Sequence, residues 1–144
     1  MNTTVPADVG RVSRKGLPVL VIDDNEMDRE IIVRHLDKAW PFESDMVLDQ
    51  AGDGREALQK INGQRYALIV LDWKLPHVGG GEVLRHIRGN GVRIPVVVLS
   101  GLKRVDIAED LDKLCAAFLN KDEMTPDTFH QAIASSLRLL GMAV

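Results

Sequence analysis

The sequence predicts an α/β fold in one domain, a parallel five-stranded sheet with five helices on its two faces. Three observations predict it. Apolar runs of strand length at 17–22, 66–71 and 94–99 are rich in Val, Ile and Leu and do not alternate with polar residues, as expected of parallel strands buried on both faces. Segments of helical period fall between and after these runs. The 144 residues suit one domain, long enough to bury roughly 70% of the surface of the unfolded chain without a disulfide or a metal.

The elements follow in order. Residues 1–16 hold Pro6, Gly10 and Gly16 with Arg11, Arg14 and Lys15, and read as a flexible N-terminal tail ahead of a domain over 17–144. Leu17–Ile22 is the first strand. Residues 27–40 carry Ile32, Leu36 and Ala39 on one helical stripe, and Met46–Gln50 is a weaker second strand. Residues 54–62 carry Ala57, Leu58 and Ile61, with Asp53 as the N-cap and Glu56 three positions on. Tyr66–Leu71 is the third strand. Residues 81–89 carry Val83, Leu84 and Ile87, with Gly89 and Gly91 as stop signals. Ile94–Leu99 is the fourth strand, and residues 104–114 carry Val105, Ala108, Leu111 and Leu114. Ala116–Leu119 is a second weak strand. Residues 126–140 carry Phe129, Ile133, Leu137 and Leu140, opened by Thr125 before Pro126. Regular β-α alternation implies right-handed crossovers, and five such units suggest the flavodoxin-like doubly wound order 2-1-3-4-5.

Composition narrows the function. The chain is 45% hydrophobic and 27% charged, with a net charge of −3, which argues against nucleic acid as the partner because phosphate contacts need a basic surface. Cys115 is the sole cysteine, which excludes an intrachain disulfide and a cysteine-rich zinc site. No apolar run approaches the roughly 20 residues of a membrane span, and Met1 to Lys15 lack the apolar core of a signal peptide. A cytoplasmic protein that uses no membrane is expected. His35, His77, His86 and His130 lack metal-ligand spacing, and Cys115 reads as a small buried hydrophobe.

In open α/β sheets, sites form outside the carboxyl ends of the strands. Asp23, Asp24, Asn25 and Glu26 follow the first strand, Asp72 the third, Ser100 the fourth and Lys121 the fifth. Strands one and three flank the switch point, so Asp23, Asp24 and Asp72 should meet there. Three carboxylates in one crevice repel each other. A hard cation removes the repulsion, and oxygen-only ligands suit Mg²⁺ or Mn²⁺. A single aspartate at such a position is often only a helix cap, the reading given to Asp53 and also to Asp28. A carboxylate can act as a nucleophile and form an acyl phosphate. Phosphoryl transfer then needs a cation and a lysine on the equatorial oxygens.

The segments V-I-D-D at 21–24, D-W-K-L-P-H-V-G-G-G-E-V-L at 72–84, V-V-V-L-S-G at 96–101 and F-L-N-K at 118–121 resemble the receiver domain of two-component response regulators. The resemblance covers about Leu17 to Leu140. Within that family the chain resembles most the small single-domain regulators paired with bacteriophytochrome-like kinases. The resemblance implies that Asp72 accepts a phosphoryl group from a histidine kinase or phosphotransfer protein in a Mg²⁺-dependent reaction. It implies that Asp24 binds Mg²⁺ directly, that Asp23 does so mostly through water, and that the Lys74 backbone carbonyl completes the protein ligands. Ser100 would hydrogen-bond the phosphoryl group, Lys121 would pair with it, and Phe118 holds the switch aromatic position. The resemblance implies a phosphoacceptor switch that catalyses its own phosphoryl transfer and autodephosphorylation rather than an enzyme.

The sequence departs from the family pattern in three places. Asp122 follows Lys121 where proline in a cis bond is usual, Gly101 follows Ser100 where alanine is common, and Lys74 stands where a neutral or acidic residue is usual. A cis bond before a non-proline residue costs about 2.5–4 kcal/mol, so the Lys121–Asp122 bond is expected to be trans. The Lys74 ammonium is open to two readings, one reaching into the acidic crevice and one solvated outside it. An alternative function is a flavodoxin-like phosphohydrolase using Asp72 as nucleophile. Such enzymes need a second carboxylate two residues on, where this chain has Lys74. A flavodoxin-like nucleotide binder would need a Gly- or Ser/Thr-rich loop after the first strand, where this chain has four acidic or amide residues. Only Gly141–Val144 follow the last helix, so signalling through protein contacts is expected. A homodimer is expected through the face of the fourth helix, fifth strand and fifth helix. Leu139, Met142 and Val144, with Ala134 further back, would supply its apolar surface. Lys103, Arg104, Asp106, Glu109, Asp110 and Lys113 would supply a charged rim.

Overall fold

The computed structural model describes residues 16–142. The tail expected over 1–16 lies outside the described residues except for Gly16, as does Val144. Five strands, β1 (Leu17–Ile22), β2 (Met46–Ala51), β3 (Leu68–Asp72), β4 (Val96–Ser100) and β5 (Ala117–Asn120), alternate with five α-helices. These are α1 (Glu26–Ala39), α2 (Gly54–Gly63), α3 (Gly80–Gly89), α4 (Arg104–Lys113) and α5 (Pro126–Leu139), with one turn of 3₁₀ helix at Lys121–Glu123. The strands are parallel in the order β2-β1-β3-β4-β5. This is the doubly wound flavodoxin-like fold that the β-α alternation predicts.

The strands are apolar throughout because both faces are covered. Leu20, Ile22, Ile69, Leu71, Val96 and Val98 pack under Ala57 of α2, Val83, Leu84 and Ile87 of α3, and Ile107 and Leu111 of α4. Their alternate neighbours Val19, Val21, Leu68, Val70, Val97 and Leu99 pack under Ile32 and Leu36 of α1 and Phe129, Ile133 and Leu137 of α5. Successive side chains of a strand point to opposite faces, so every residue of β3 and β4 is buried.

Two helix expectations change. The core face of α4 is Ile107 and Leu111, whereas Val105 is 76% exposed. The helix starts at Arg104, and its i, i+4 pair at 107 and 111 faces the sheet, which turns Val105 to solvent. Asp28 is not a cap. Asn25 caps α1, its side chain accepting the Asp28 backbone N–H at 3.0 Å, and Asp28 lies inside the first turn. The other caps hold: Asp53 accepts the Glu56 N–H at 2.8 Å while Glu56 accepts that of Gly52 at 2.8 Å. Thr125 accepts the Thr128 N–H at 3.0 Å ahead of Pro126.

Strands β3 and β4 begin two residues later than their apolar runs and end one residue later. Tyr66, ahead of the β3 ladder, donates its hydroxyl to the Asp49 side chain of β2 at 2.7 Å. Pro95 has no N–H and serves only as acceptor, for Ile69 at 3.0 Å. The later ends make Asp72 and Ser100 the last ladder residues of β3 and β4.

Candidate functional site

Register brings the polar strand ends together. Asp72 is level with Leu99, and Ser100 is level with Asn120 one residue before Lys121. Beyond β1, the Asp23 backbone N–H donates to Ala51 at 3.1 Å, which carries the strand direction one residue past its end. Asp23 is fully buried, Asp72 is 5% exposed, Ser100 is 2% exposed and Asp24 is exposed.

The carboxylates converge. One oxygen from each of Asp23, Asp24 and Asp72 lies within 4.8 Å of the other two. All three donors are carboxylate oxygens, with no imidazole or thiolate among them. That set fits a hard divalent cation such as Mg²⁺ or Mn²⁺ and fits zinc or copper poorly. Asp23 Oδ1 also accepts the Asn25 backbone N–H at 2.9 Å.

Lys121 reaches into the same crevice. Its Nζ donates to Asp23 Oδ2 at 2.8 Å and lies 3.3 Å from Asp72 Oδ2 and 3.6 Å from Asp28 Oδ2. Burial and the Asp23 charge push the Asp72 carboxyl up to about 6, against the opposing pull of Lys121 and the Lys74 backbone N–H. Burial alone would lower the Lys121 ammonium. The hydrogen bond to Asp23 and the charge of Asp72 outweigh it and hold the group above the usual lysine range. Local positive charge thus falls short of local negative charge, the imbalance a bound cation corrects.

The remaining predicted residues fall around this centre. The Ser100 hydroxyl accepts the Leu102 backbone N–H at 2.9 Å, a turn that opens the β4–α4 loop. Phe118 on β5 is half-buried and lines a groove with Leu119, Thr128, Gln131, Ala132, Ser135 and Arg138. The Lys74 side chain is exposed. Every peptide bond among the described residues is trans, Lys121–Asp122 included. There the Asp122 N–H donates to Asn120 Oδ1 at 2.8 Å, a bond proline could not make, and the chain turns at once into the 3₁₀ helix.

Three contributors escape a reading of strand ends alone. Arg29 on α1 donates from Nη1 to the Asp23 backbone carbonyl at 2.6 Å and from Nε to Gln50 at 2.9 Å, tying the β1–α1 loop to β2. Gly80 lets α3 press against the backbone of the acceptor loop. A Cβ there would stand 2.7 Å from the Asp72 carbonyl oxygen and 2.7 Å from Trp73 Cα. Asp28 is the third carboxylate on Lys121. The run of glycines at 79–81 and the placement of Asp28 four residues after Asp24 are the signals that could have found two of them.

A carboxylate cluster at the switch point of this sheet, two members buried and one exposed, with a lysine and a hydroxyl beyond other strand ends, defines a class: doubly wound domains with an acidic crevice of oxygen donors suited to a hard cation. The family model for the response regulator receiver domain matches residues 19–134, and the chain belongs to that family. It is 31% identical to the bacteriophytochrome response regulator AtBRR, covering 89% of this chain and 94% of that one, with a TM-score of 0.69. It is 30% identical to the receiver domain of the Francisella response regulator 1452, covering 87% and 97%, with a TM-score of 0.65. Among curated proteins it is 33% identical, over 67% of its length, to a protein-glutamate methylesterase/protein-glutamine glutaminase of Treponema denticola, and the match spans 25% of that protein. The chain thus corresponds to about a quarter of that relative. Receiver domains are phosphoacceptors of two-component signalling and interact with histidine kinases or phosphotransfer proteins. No helix among the described residues is long and apolar enough to cross a membrane.

Proposed function

We propose that this protein is a single-domain response regulator of the cytoplasm, and that Asp72 accepts a phosphoryl group from a histidine kinase or phosphotransfer protein. The observation that carries this reading is the convergence on Asp72 of two further carboxylates, within 4.8 Å, and of the Lys121 ammonium, at 3.3 Å. The overlap with the bacteriophytochrome response regulator AtBRR, 89% of this chain and 94% of that one, supports the response-regulator reading.

In the transfer, an Asp72 carboxylate oxygen attacks phosphorus. The P–N bond to the donor imidazole breaks, the imidazole leaves with the bonding pair and takes up a proton, and an acyl phosphate remains on Asp72. Asp23, Asp24, Asp72 and the Lys74 backbone carbonyl are the ligands proposed for Mg²⁺, or Mn²⁺ in its place. The bound cation supplies positive charge that cancels carboxylate repulsion and stabilises the equatorial phosphoryl oxygens. Lys121 brings its ammonium to the same oxygens. Ser100 turns its hydroxyl from the Leu102 N–H to donate to one of them. Phe118 on β5, three residues before Lys121, then follows the rearranged β4–α4 loop and reshapes the α4–β5–α5 face.

That face carries the output, through protein contacts and through a second copy of the chain. On its helices Val105 of α4 is 76% exposed and Leu139 of α5 47% exposed, and Lys103, Arg104, Asp106, Glu109 and Lys113, at and along α4, are exposed too. Met142, expected to join this apolar surface, packs instead against the core under α1 and α5. Incubation with Mg²⁺ and acetyl phosphate tests the reading. A mass gain of one phosphoryl group, acid-stable and base-labile, absent in Asp72→Asn and absent in EDTA, is expected. Uptake by Asp72→Asn equal to wild type would overturn it. Sedimentation at micromolar concentration with and without beryllofluoride tests the second copy, and a monomer in both states would refute it.

A further inference from the structure

Lys121 makes more contacts than the chemistry at Asp72 requires. Its ammonium has three N–H groups, and three carboxylates surround it: Asp23 at 2.8 Å, Asp72 at 3.3 Å and Asp28 at 3.6 Å. Asp23 is fully buried and the Asp72 side chain 7% exposed, whereas the Asp28 side chain is 44% exposed. Asp28 approaches from the first turn of α1, where Asn25 fixes its backbone N–H at 3.0 Å. It lies outside the set of carboxylates close enough to share a cation. Its one ionic partner in the crevice is therefore the lysine.

We propose that Asp28 is a positioning residue for Lys121: its carboxylate pairs with the ammonium, at 3.6 Å, in the resting state and competes for it with the phosphoryl group on Asp72. The proposal rests on Asp72 being the acceptor. When phosphate is attached, new anionic oxygens stand beyond the former Asp72 carboxylate, and Lys121 must give up an existing contact to reach them. The Asp23 contact is the shortest and is buried. The Asp28 contact is the longest and the most exposed, so it is the one released. An ion pair this exposed corresponds to about a two- to fivefold factor in an equilibrium constant. Asp28 thereby sets a threshold that the phosphoryl group and the cation must exceed before Lys121 shifts.

Beryllofluoride, which places phosphoryl-like anionic groups on an aspartate, gives the test at equilibrium. Its affinity is measured by calorimetry at saturating Mg²⁺ for wild type, Asp28→Asn, Lys121→Ala and the double variant. Asn keeps the shape of the side chain and removes the charge. Asp28→Asn is expected to bind beryllofluoride about two- to fivefold more tightly than wild type, and to make no difference in the Lys121→Ala background. Initial rates of uptake from acetyl phosphate should rise in step. A purely structural Asp28, acting on the α1 dipole, would shift the melting temperature without shifting these affinities. Unchanged affinity in Asp28→Asn, or the same shift with and without Lys121, overturns the proposal. Failure of the wild type to bind beryllofluoride or take up phosphate would instead overturn the acceptor assignment on which it rests.

Discussion

Asp72 is expected to cost the resting domain stability, and Asp72→Asn should return it. Asp72 is buried beside Asp23, and its carboxyl is raised from 3.8 to about 6. The folded state therefore holds its proton more tightly than the unfolded state does. Stability falls as pH rises from the unfolded value to the folded one, and the penalty is complete above the folded value. One pKa unit is worth 1.36 kcal/mol, so the gap corresponds to about 3 kcal/mol near pH 7.5 and about half of that at pH 5. Asparagine cannot ionise and carries none of it. Urea unfolding in EDTA at both pH values is the assay, with a slope of about 1–3 kcal/mol per molar urea. Asp72→Asn should have the higher midpoint at pH 7.5, by about 1 M or more, and the advantage should shrink by about half at pH 5. Mg²⁺ should then stabilise wild type more than the variant. An advantage independent of pH, or a variant less stable than wild type at pH 7.5, would refute this account of the crevice.

Three further outcomes are expected. Gly80→Ala pushes a methyl group to 2.7 Å from the Asp72 carbonyl oxygen and should cost about 1–3 kcal/mol. Gly89→Ala, with nothing within 4 Å, should be neutral or stabilising by up to about 1 kcal/mol; equal urea midpoints for the two would contradict the packing. Mg²⁺ affinity, read by calorimetry, should drop at least tenfold in Asp24→Asn, whereas Ser100→Ala and Lys121→Ala keep most of it. Asp49 is drawn up by burial, but the Lys60 and Tyr66 hydrogen bonds prevail and hold it below its ordinary value. Its stabilising contribution is present above the unfolded value of 3.8 and is lost as pH falls through the lower folded value. The stability gap to Asp49→Asn should therefore close on acidification, as thermal melts from pH 7 to 3 would record.

Strand identity was legible because burial on both faces leaves no polar alternation: β1, β3 and β4 stand out as apolar runs, and five β-α units then suggest the flavodoxin-like order among the doubly wound ones. The strand limits were less legible. Hydrophobicity at Tyr66 and Ile94 continues past the point where the ladder begins, since Pro95 cannot donate and the Tyr66 hydroxyl serves Asp49. The convergence of Asp23, Asp24 and Asp72 could be read because a parallel sheet brings its carboxyl ends to one edge, whatever the exact limits. Asp28, Arg29 and Val105 could not be read in the same way. Their directions depend on the angular phase of a helix, and a shift of one residue in the start of α1 or α4 turns a side chain by about 100°. The cap at Asn25 sets that phase for α1, and Asp28 was the competing candidate for the same role. Gly80 stands in a visible run of glycines at 79–81, but the run does not say which of the three meets another backbone; only the structure shows that close approach at Gly80.

The most direct measurement is chemical mapping of the phosphorylated residue. The protein is phosphorylated with acetyl phosphate and Mg²⁺, reduced with borohydride, digested and sequenced by mass spectrometry. Borohydride reduces an aspartyl acyl phosphate to homoserine, marking the acceptor permanently. The account predicts homoserine at position 72 alone, and none when EDTA replaces Mg²⁺. Homoserine at Asp23, Asp24 or Asp28 with position 72 unmodified, or stable phosphate on a hydroxyl or imidazole in its place, would contradict it.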